Sequence, residues 1–277
     1  MQPIYPLLGV SRPFDPSCTH VTSPFFSPFV LAALRLTFAL YTLVTLLVTL
    51  IWDSVRVGIG EAFFSYFTHL SYIGLCAYFF ASGTQILLYS LRSRQQNHTY
   101  PLQGWPRPLK FLHVLLQLTV ITFPILVTVV FWALLASSEI FHASYSTWSN
   151  ISVHILNTVF GLSEMLLTNV PPPPWLLLPF GVVLLAGYLA IAYITYADQG
   201  FYPYTFLNPQ TEKTYLAAYI IGIALGYCIL FVIVRYIVVL RIKLVGWRRA
   251  GRGGRGREGR EEMEEWEEVE RPSKEGV

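Results

Sequence analysis

Long apolar blocks separated by short polar breaks make up most of this chain. The blocks are apolar on all sides, whereas a surface helix of a soluble protein is apolar along one stripe only. Blocks of this length predict transmembrane helices, since a helix needs about 20 apolar residues to cross a bilayer. We therefore predict an all-α fold, a polytopic membrane helical bundle of about six transmembrane helices. The predicted helices lie at 28–52, 62–91, 110–136, 149–168, 175–197 and 215–240.

The composition favours the same class of protein. Of the 277 residues, 54% are hydrophobic and 13% are charged, whereas soluble domains are about 25% charged. A Pro-rich, weakly charged segment precedes the first apolar block, so we expect this helix to insert without a cleaved signal peptide. The three cysteines, Cys18, Cys76 and Cys228, have no metal-binding spacing and indicate no disulfide framework.

Lys and Arg in the connecting segments predict the orientation of the bundle. They are concentrated between the second and third helices and after the sixth, and these two segments lie on one side of a six-helix bundle. The positive-inside rule makes that side cytoplasmic, together with both termini. We expect an endomembrane, such as the endoplasmic reticulum, or the plasma membrane. The basic residues are Arg92, Arg94, Arg107 and Lys110 in the first segment and Arg241, Lys243, Arg248 and Arg249 in the second.

These boundaries divide the chain into an N-terminal cytoplasmic tail (1–27), the bundle (28–244) and a C-terminal cytoplasmic tail (245–277). The C-terminal tail is basic and glycine-rich up to Arg260 and acidic from Glu261 to Glu270. Arg-Gly repeats can bind RNA, and basic segments can bind anionic lipid. Because blocks of like charge usually form disordered tails, we interpret this segment as disordered and expect no nucleic-acid partner.

Polar side chains inside the predicted spans are the candidates for chemistry, because a polar group is costly in hydrocarbon. Thr68 and His154 lie near the starts of the second and fourth helices, which both enter from the non-cytoplasmic side. At about 1.5 Å per residue, both residues lie about 8–9 Å below the same interface. A hydroxyl and an imidazole at equal depth can meet if these helices pack. The alternative is that each side chain only joins helices, or that Thr68 bonds back to the carbonyl of Phe64.

A polar stripe accompanies His154 along the fourth helix. Asn150, His154 and Asn157 share one face by their spacing of three and four residues, so this face should contact something other than lipid. Glu164 lies about 15 Å deeper and is turned away from His154, so the two side chains should not bond directly. A carboxyl at that depth must be paired or protonated.

Motifs of soluble hydrolases and metal sites are missing from the sequence. It contains no G-x-S-x-G elbow, no H-E-x-x-H motif and no phosphate-binding loop. A metal site built from His69, His154 and Glu164 is conceivable, but nothing in their spacing favours one. We therefore expect no metal and no cofactor.

Two stretches of the chain resemble the androgen-induced gene 1 family. One is Trp148–His154, followed ten residues later by Glu164, and the other is Phe67–Leu70. The resemblance extends over roughly residues 60–210 and is greatest to the fungal branch of the family. Ile151 stands where the family usually has a second histidine.

The resemblance implies a multi-pass threonine hydrolase that acts on fatty acid esters of hydroxy fatty acids. By position, it implies that Thr68 is the nucleophile and His154 the general base. Ser71, Asn150 or Asn157 could stabilise the oxyanion, and water could enter along the polar stripe. The expected partners are membrane lipids and a lipid ester substrate.

Two alternatives remain open at this point. The first is a non-catalytic lipid-binding or transport protein of the same fold, for which the polar stripe and the deep Glu164 are suitable. The second is a scaffold similar to the Rolling stone proteins, which have a comparable hydropathy profile.

Overall fold

The architecture is a bundle of long helices, described by a computed structural model over residues 4–96, 98–136 and 143–270. Five helices in this part of the chain are long and apolar enough to span a membrane. A π-helical turn, Ser152–Leu156, joins two shorter helices into one further member of the bundle. The prediction of an all-α polytopic membrane bundle is confirmed. The helices are α1 (Pro28–Trp52), α2 (Phe67–Ser93), α3 (Arg107–Val130), α4 (Ser144–Ile151), α5 (Asn157–Leu167), α6 (Leu178–Gln199) and α7 (Leu216–Glu270).

Three helix boundaries differ clearly from the sequence prediction. Helix α4 begins at Ser144, five residues before the predicted start. Helix α2 begins at Phe67 because the preceding residues, Gly60–Ser65, form a 3₁₀ helix at a sharp change of chain direction. Helix α7 continues to Glu270, across the segment for which the sequence predicts disorder. Glu, Arg and Met are strong helix formers, and this local preference favours helix over the acidic part of that segment.

Helices α3 and α5 approach each other through their backbones. Pro124 lacks the amide that would donate to the carbonyl of Val120 within α3. Gly161 of α5 lies against this carbonyl, and a Cβ atom at position 161 would come within 2.7 Å of the Val120 oxygen. The hydroxyl of Thr158 donates to the Pro124 carbonyl at 2.9 Å. Small and hydroxyl-bearing residues are what membrane helices use to pack this closely.

The N-terminal residues fold onto one end of the bundle. Leu8, Val10, Phe14 and Val21 are buried in a core shared with α1, α2 and α3. We call the segment of residues 8–21 the N-terminal cap. It is too short and too dependent on the helices to have a core of its own, so it is part of the bundle structure.

Asp15 fixes the cap to the connection between α2 and α3. Its carboxylate accepts hydrogen bonds from Tyr100 at 2.6 Å and from the hydroxyl of Thr19 at 2.7 Å, and it lies 3.2 Å from the Nδ1 atom of His20. Burial alone would raise the pKa of Asp15. The hydrogen bond and the charge of His20 lower the pKa of Asp15, and the hydrogen bonds from Tyr100 and Thr19 lower it further. Together they outweigh the effect of burial and hold this pKa well below its usual range.

The cap region also contacts the connection between α5 and α6. The amide of Asn169 donates to the Thr22 carbonyl at 3.0 Å, and the hydroxyl of Ser23 donates to the Leu167 carbonyl at 2.5 Å. The N-terminal residues, the α2–α3 connection and the α5–α6 connection therefore lie at the same end of the bundle.

Candidate active site

Thr68 lies in the first turn of α2, on the wall of a cavity of about 170 Å³. Side chains of α2, α3, α6 and α7 and of the α6–α7 connection form the cavity, and nearly all of them are apolar. The hydroxyl of Tyr188 donates a hydrogen bond to the Ser65 carbonyl at 3.0 Å. Thr68 and Tyr204 therefore present hydroxyl groups to a cavity that is otherwise apolar.

Tyr204 is the polar neighbour of Thr68. Its phenol oxygen lies 3.5 Å from both the hydroxyl oxygen and the amide nitrogen of Thr68. Burial raises the pKa of Tyr204 above its ordinary value, so the phenol keeps its proton and remains a hydrogen-bond donor. Sequence reasoning missed Tyr204, because a tyrosine in a connection between two helices has no spacing or motif that marks it.

His154 lies in the π-helical turn between α4 and α5 and is buried. Its ring stacks on the ring of Phe131 with 3.6 Å between centroids and 6° between planes. The Nδ1 atom of His154 is buried without a hydrogen-bond partner. The turn contacts both α2 and α3. Short π-helical turns inside α-helices are frequent at functional sites, and here the turn places an imidazole with a free nitrogen inside the bundle.

The two predicted catalytic residues are linked through Phe131, which lines the cavity of Thr68 and stacks on the ring of His154. Among the described residues, Thr68 and His154 share no hydrogen bond. The structure thus places a hydroxyl and an imidazole on elements that touch, with the Phe131 ring beside the imidazole.

The other predicted polar residues are engaged in the packing of helices. Ser71 donates to the Thr68 carbonyl at 3.0 Å, and Asn150 donates to the Ser146 carbonyl at 2.9 Å. The side-chain oxygen of Asn157 accepts the amide of Thr158 at 2.6 Å. The first two bonds stay within one helix, whereas the hydroxyl of Thr128 of α3 donates to the same Asn157 oxygen at 3.3 Å and joins α5 to α3.

Glu164 belongs to a separate, deeper network. Its carboxylate forms a two-point ion pair with Arg35 of α1, with a distance of 2.9 Å between Nε and Oε2. It also accepts a hydrogen bond from Tyr78 of α2 at 2.7 Å. The Arg35 guanidinium donates in addition to the His20 carbonyl of the cap at 3.1 Å. A buried carboxyl was predicted to need a partner, and Arg35 is that partner.

His69 has a structural role beside the candidate site. Its Nδ1 atom lies 2.8 Å from the Phe63 carbonyl, and its ring stacks on the Phe63 ring at 4.1 Å. No group of three His, Cys, Asp or Glu side chains that could hold a metal ion occurs in the described part of the chain. Since Glu164 is also bound to Arg35, the conceivable set of His69, His154 and Glu164 does not converge.

The fold defines this chain as a multi-pass, all-α membrane protein with a hydroxyl-bearing internal cavity. Comparisons with protein-family models, with curated proteins and with solved structures found no match. The geometry around Thr68 and His154 and the sequence resemblance at these residues are therefore what bears on function.

Proposed function

We propose that this protein is an integral membrane hydrolase of lipid esters, with Thr68 as nucleophile and His154 as general base. The observation that carries the proposal is the hydroxyl of Thr68 on the wall of an apolar cavity, with a buried, unpartnered imidazole nitrogen behind that wall. An apolar cavity accepts acyl chains, and a lipid can enter from the bilayer without crossing water. The resemblance to the androgen-induced gene 1 family supports fatty acid esters of hydroxy fatty acids as the substrate class.

In the proposed reaction, the Thr68 oxygen attacks the ester carbonyl carbon while His154 takes the hydroxyl proton. His154 then gives this proton to the departing alkoxide, which leaves an acyl ester on Thr68. Water attacks this ester with His154 again as base, and the fatty acid and the free hydroxyl of Thr68 are released. Tyr204 is placed to donate a hydrogen bond to the oxyanion, because its protonated phenol lies 3.5 Å from the Thr68 oxygen.

Catalysis requires a rearrangement of side chains, because the imidazole of His154 now stacks on Phe131. A rotation that frees the imidazole from Phe131 would let its unpartnered nitrogen approach Thr68. Hydrogen bonds of catalytic groups are often long or absent until substrate binds. We propose that an acyl chain in the cavity displaces the Phe131 ring and thereby lets the imidazole of His154 reach the hydroxyl of Thr68.

The test uses purified protein in detergent with a branched fatty acid ester as substrate and a fluorophosphonate probe. Thr68→Ala and His154→Ala should each abolish turnover and labelling, and the double variant should be no worse than either single one. Thr68→Ser should keep part of the activity because it retains the hydroxyl.

Tyr204→Phe should lower kcat by roughly 10²–10³-fold, the usual effect of losing one oxyanion donor. Thr119→Ala is the matched control, since the Thr119 hydroxyl donates only to its own helix, at 2.7 Å. Turnover by Thr68→Ala at the wild-type rate would rule out this mechanism.

A lipid-binding protein without turnover is the second candidate. The lack of a hydrogen bond between Thr68 and His154, together with the apolar lining of the cavity, favours it. In that case a fluorescent fatty acid should bind to wild type and Thr68→Ala equally, and neither protein should release product. Product release by the wild type would exclude this candidate.

We also propose that the end of the bundle with the N-terminal cap faces the cytoplasm. The cap contacts the connection between α2 and α3, which carries the basic residues on which the orientation was predicted. An endomembrane or the plasma membrane is the expected location.

A further inference from the structure

Three basic side chains gather where α3 begins. The guanidinium carbon of Arg107 lies 5.3 Å from the centre of the Tyr5 ring, and the ammonium of Lys110 lies 5.5 Å from the centre of the Phe14 ring. Arg12 and Arg107 both repel the Lys110 ammonium electrostatically. We call Arg12, Arg107 and Lys110 the basic cluster. Two aromatic rings of the N-terminal region, those of Tyr5 and Phe14, pack against Arg107 and Lys110.

No acidic side chain forms an ion pair with the basic cluster among the residues whose side chains the structure describes, which end at Trp247 on α7. The ion pairs there are His20–Asp15 and Arg35–Glu164, and neither includes a member of the cluster. The Nε atom of Arg107 is buried without a hydrogen-bond partner. The positive end of the α3 dipole lies at the same place and destabilises cations further. Three positive charges therefore lie close together at the positive end of the α3 dipole. A bound anion would offset the repulsion among them.

The position of the basic cluster identifies the kind of anion. Arg107 is the first residue of the candidate membrane span Arg107–Leu135, so the cluster lies at the depth of lipid headgroups. Leu109 and Leu112 on the first turns of α3 are 44% and 53% exposed. These leucines offer an apolar surface to acyl chains next to the cations. The combination of clustered cations and adjacent exposed leucines matches a phospholipid, whose phosphate and acyl chains have the same arrangement.

We propose that the basic cluster binds the phosphate of an anionic phospholipid headgroup. This site is independent of the proposed hydrolase. Thr68 lies at the first turn of α2, whereas the cluster lies beyond the other end of that helix, after Ser93. The two sites are therefore on opposite faces of the membrane, and either can exist without the other.

The experiment measures the dissociation constant of phosphatidic acid for the purified full-length protein in detergent by native mass spectrometry. Phosphatidylcholine is the zwitterionic comparison. A cation near a membrane surface contributes about fivefold in affinity for anionic lipid, so Arg107→Gln/Lys110→Gln should weaken phosphatidic acid binding about 25-fold. Arg12→Gln, a change at an exposed residue that does not threaten folding, should weaken it about fivefold. Phosphatidylcholine binding should not change in any variant.

The matched control is Arg92→Gln/Arg94→Gln. These arginines lie at the end of α2 in the same basic connection, but the helix dipole favours cations there. This variant should bind phosphatidic acid within about twofold of the wild type, because neither arginine belongs to the basic cluster. An equal loss in the control would show general surface attraction and would overturn the proposal, as would unchanged binding by Arg107→Gln/Lys110→Gln. Inorganic phosphate is the last arm. If it displaces phosphatidic acid completely at millimolar concentration and phosphatidic acid binds no more tightly than phosphate, the ligand is soluble phosphate and the lipid assignment is wrong.

Discussion

Replacing Glu164 by Gln should destabilise the bundle strongly, because it leaves a buried guanidinium without its counter-charge. Arg35 donates to both carboxylate oxygens of Glu164 and to the His20 carbonyl, and the two charged side chains are almost completely buried. The amide of a glutamine would turn a donor toward the guanidinium in place of one of these oxygens. Arginine cannot lose its proton at this site, so the charge cannot be removed by titration.

The magnitude follows from the burial of this pair. Removing one partner of a buried ion pair costs about 3–5 kcal/mol, a large part of a total stability of about 5–15 kcal/mol. Arg35→Met should cost less, about 1–3 kcal/mol. The Glu164 carboxyl that remains in this variant keeps the hydrogen bond from Tyr78. The double variant Arg35→Met/Glu164→Leu should be more stable than Glu164→Gln alone, because no charge stays buried.

The assay is thermal unfolding in detergent, followed by intrinsic tryptophan fluorescence. A loss of 3–5 kcal/mol corresponds to a drop of roughly 6–20 °C in Tm for a chain of this size. Ser163→Ala is the matched control on the same helix, since the Ser163 hydroxyl donates only to the Phe160 carbonyl of α5, at 2.7 Å. Its Tm should stay within about 2 °C of the wild type, as for most substitutions away from a network.

Two results would refute this reasoning. If Glu164→Gln had the same Tm as the control, Arg35 and Glu164 would not form a pair of opposite charges. A larger loss for Arg35→Met than for Glu164→Gln would mean that the carboxylate, and not the guanidinium, is the group that cannot tolerate isolation.

Two further predictions concern the N-terminal cap and the orientation of the bundle. Because the pKa of Asp15 is lowered in the folded protein, its contribution to stability is present above the unfolded pKa of about 3.9 and is lost as pH falls through the folded pKa. Asp15→Asn should therefore unfold at lower temperature than the wild type at pH 7, and the difference should shrink below about pH 4; a difference that is independent of pH would contradict the proposed role of the carboxylate. For the orientation, the sequon Asn97-His98-Thr99 lies in the basic α2–α3 connection, and Asn97 itself is outside the described residues. It should remain without glycan in eukaryotic cells, and a glycan on Asn97 would place this connection in the lumen and invert the proposed topology.

The helices could be predicted from sequence because hydrocarbon imposes a strong and local requirement. Helix α1 begins at Pro28 and ends at Trp52, as predicted, since Ser27 caps the helix and proline suits its first turn. The start of α2 was placed at 62 because Ala62, Phe63 and Phe64 are as apolar as the helix that follows. Hydropathy cannot distinguish their 3₁₀ helix from the first turns of a membrane helix.

The environment of the candidate site was only partly predictable. Spacing and topology put Thr68 and His154 on elements that do touch, but they could not show that Phe131 stacks on the imidazole. The partner of Glu164 had a usable signal, because Arg35 is a charged residue within an apolar helix. Which helix supplies such a partner depends on packing, and no pattern within one segment contains that information.

The attachment of the N-terminal cap has a consequence for biosynthesis. The cap leaves the ribosome before the segments on which it docks, since Tyr100 follows Asp15 by 85 residues. The carbonyl of His20 meets Arg35 where Arg35 binds Glu164, which follows it by 129 residues. The cap therefore has to remain undocked until α5 has been inserted. Its docking requires that α1, α2 and α5 have assembled, so the cap folds after helices that follow it in the chain.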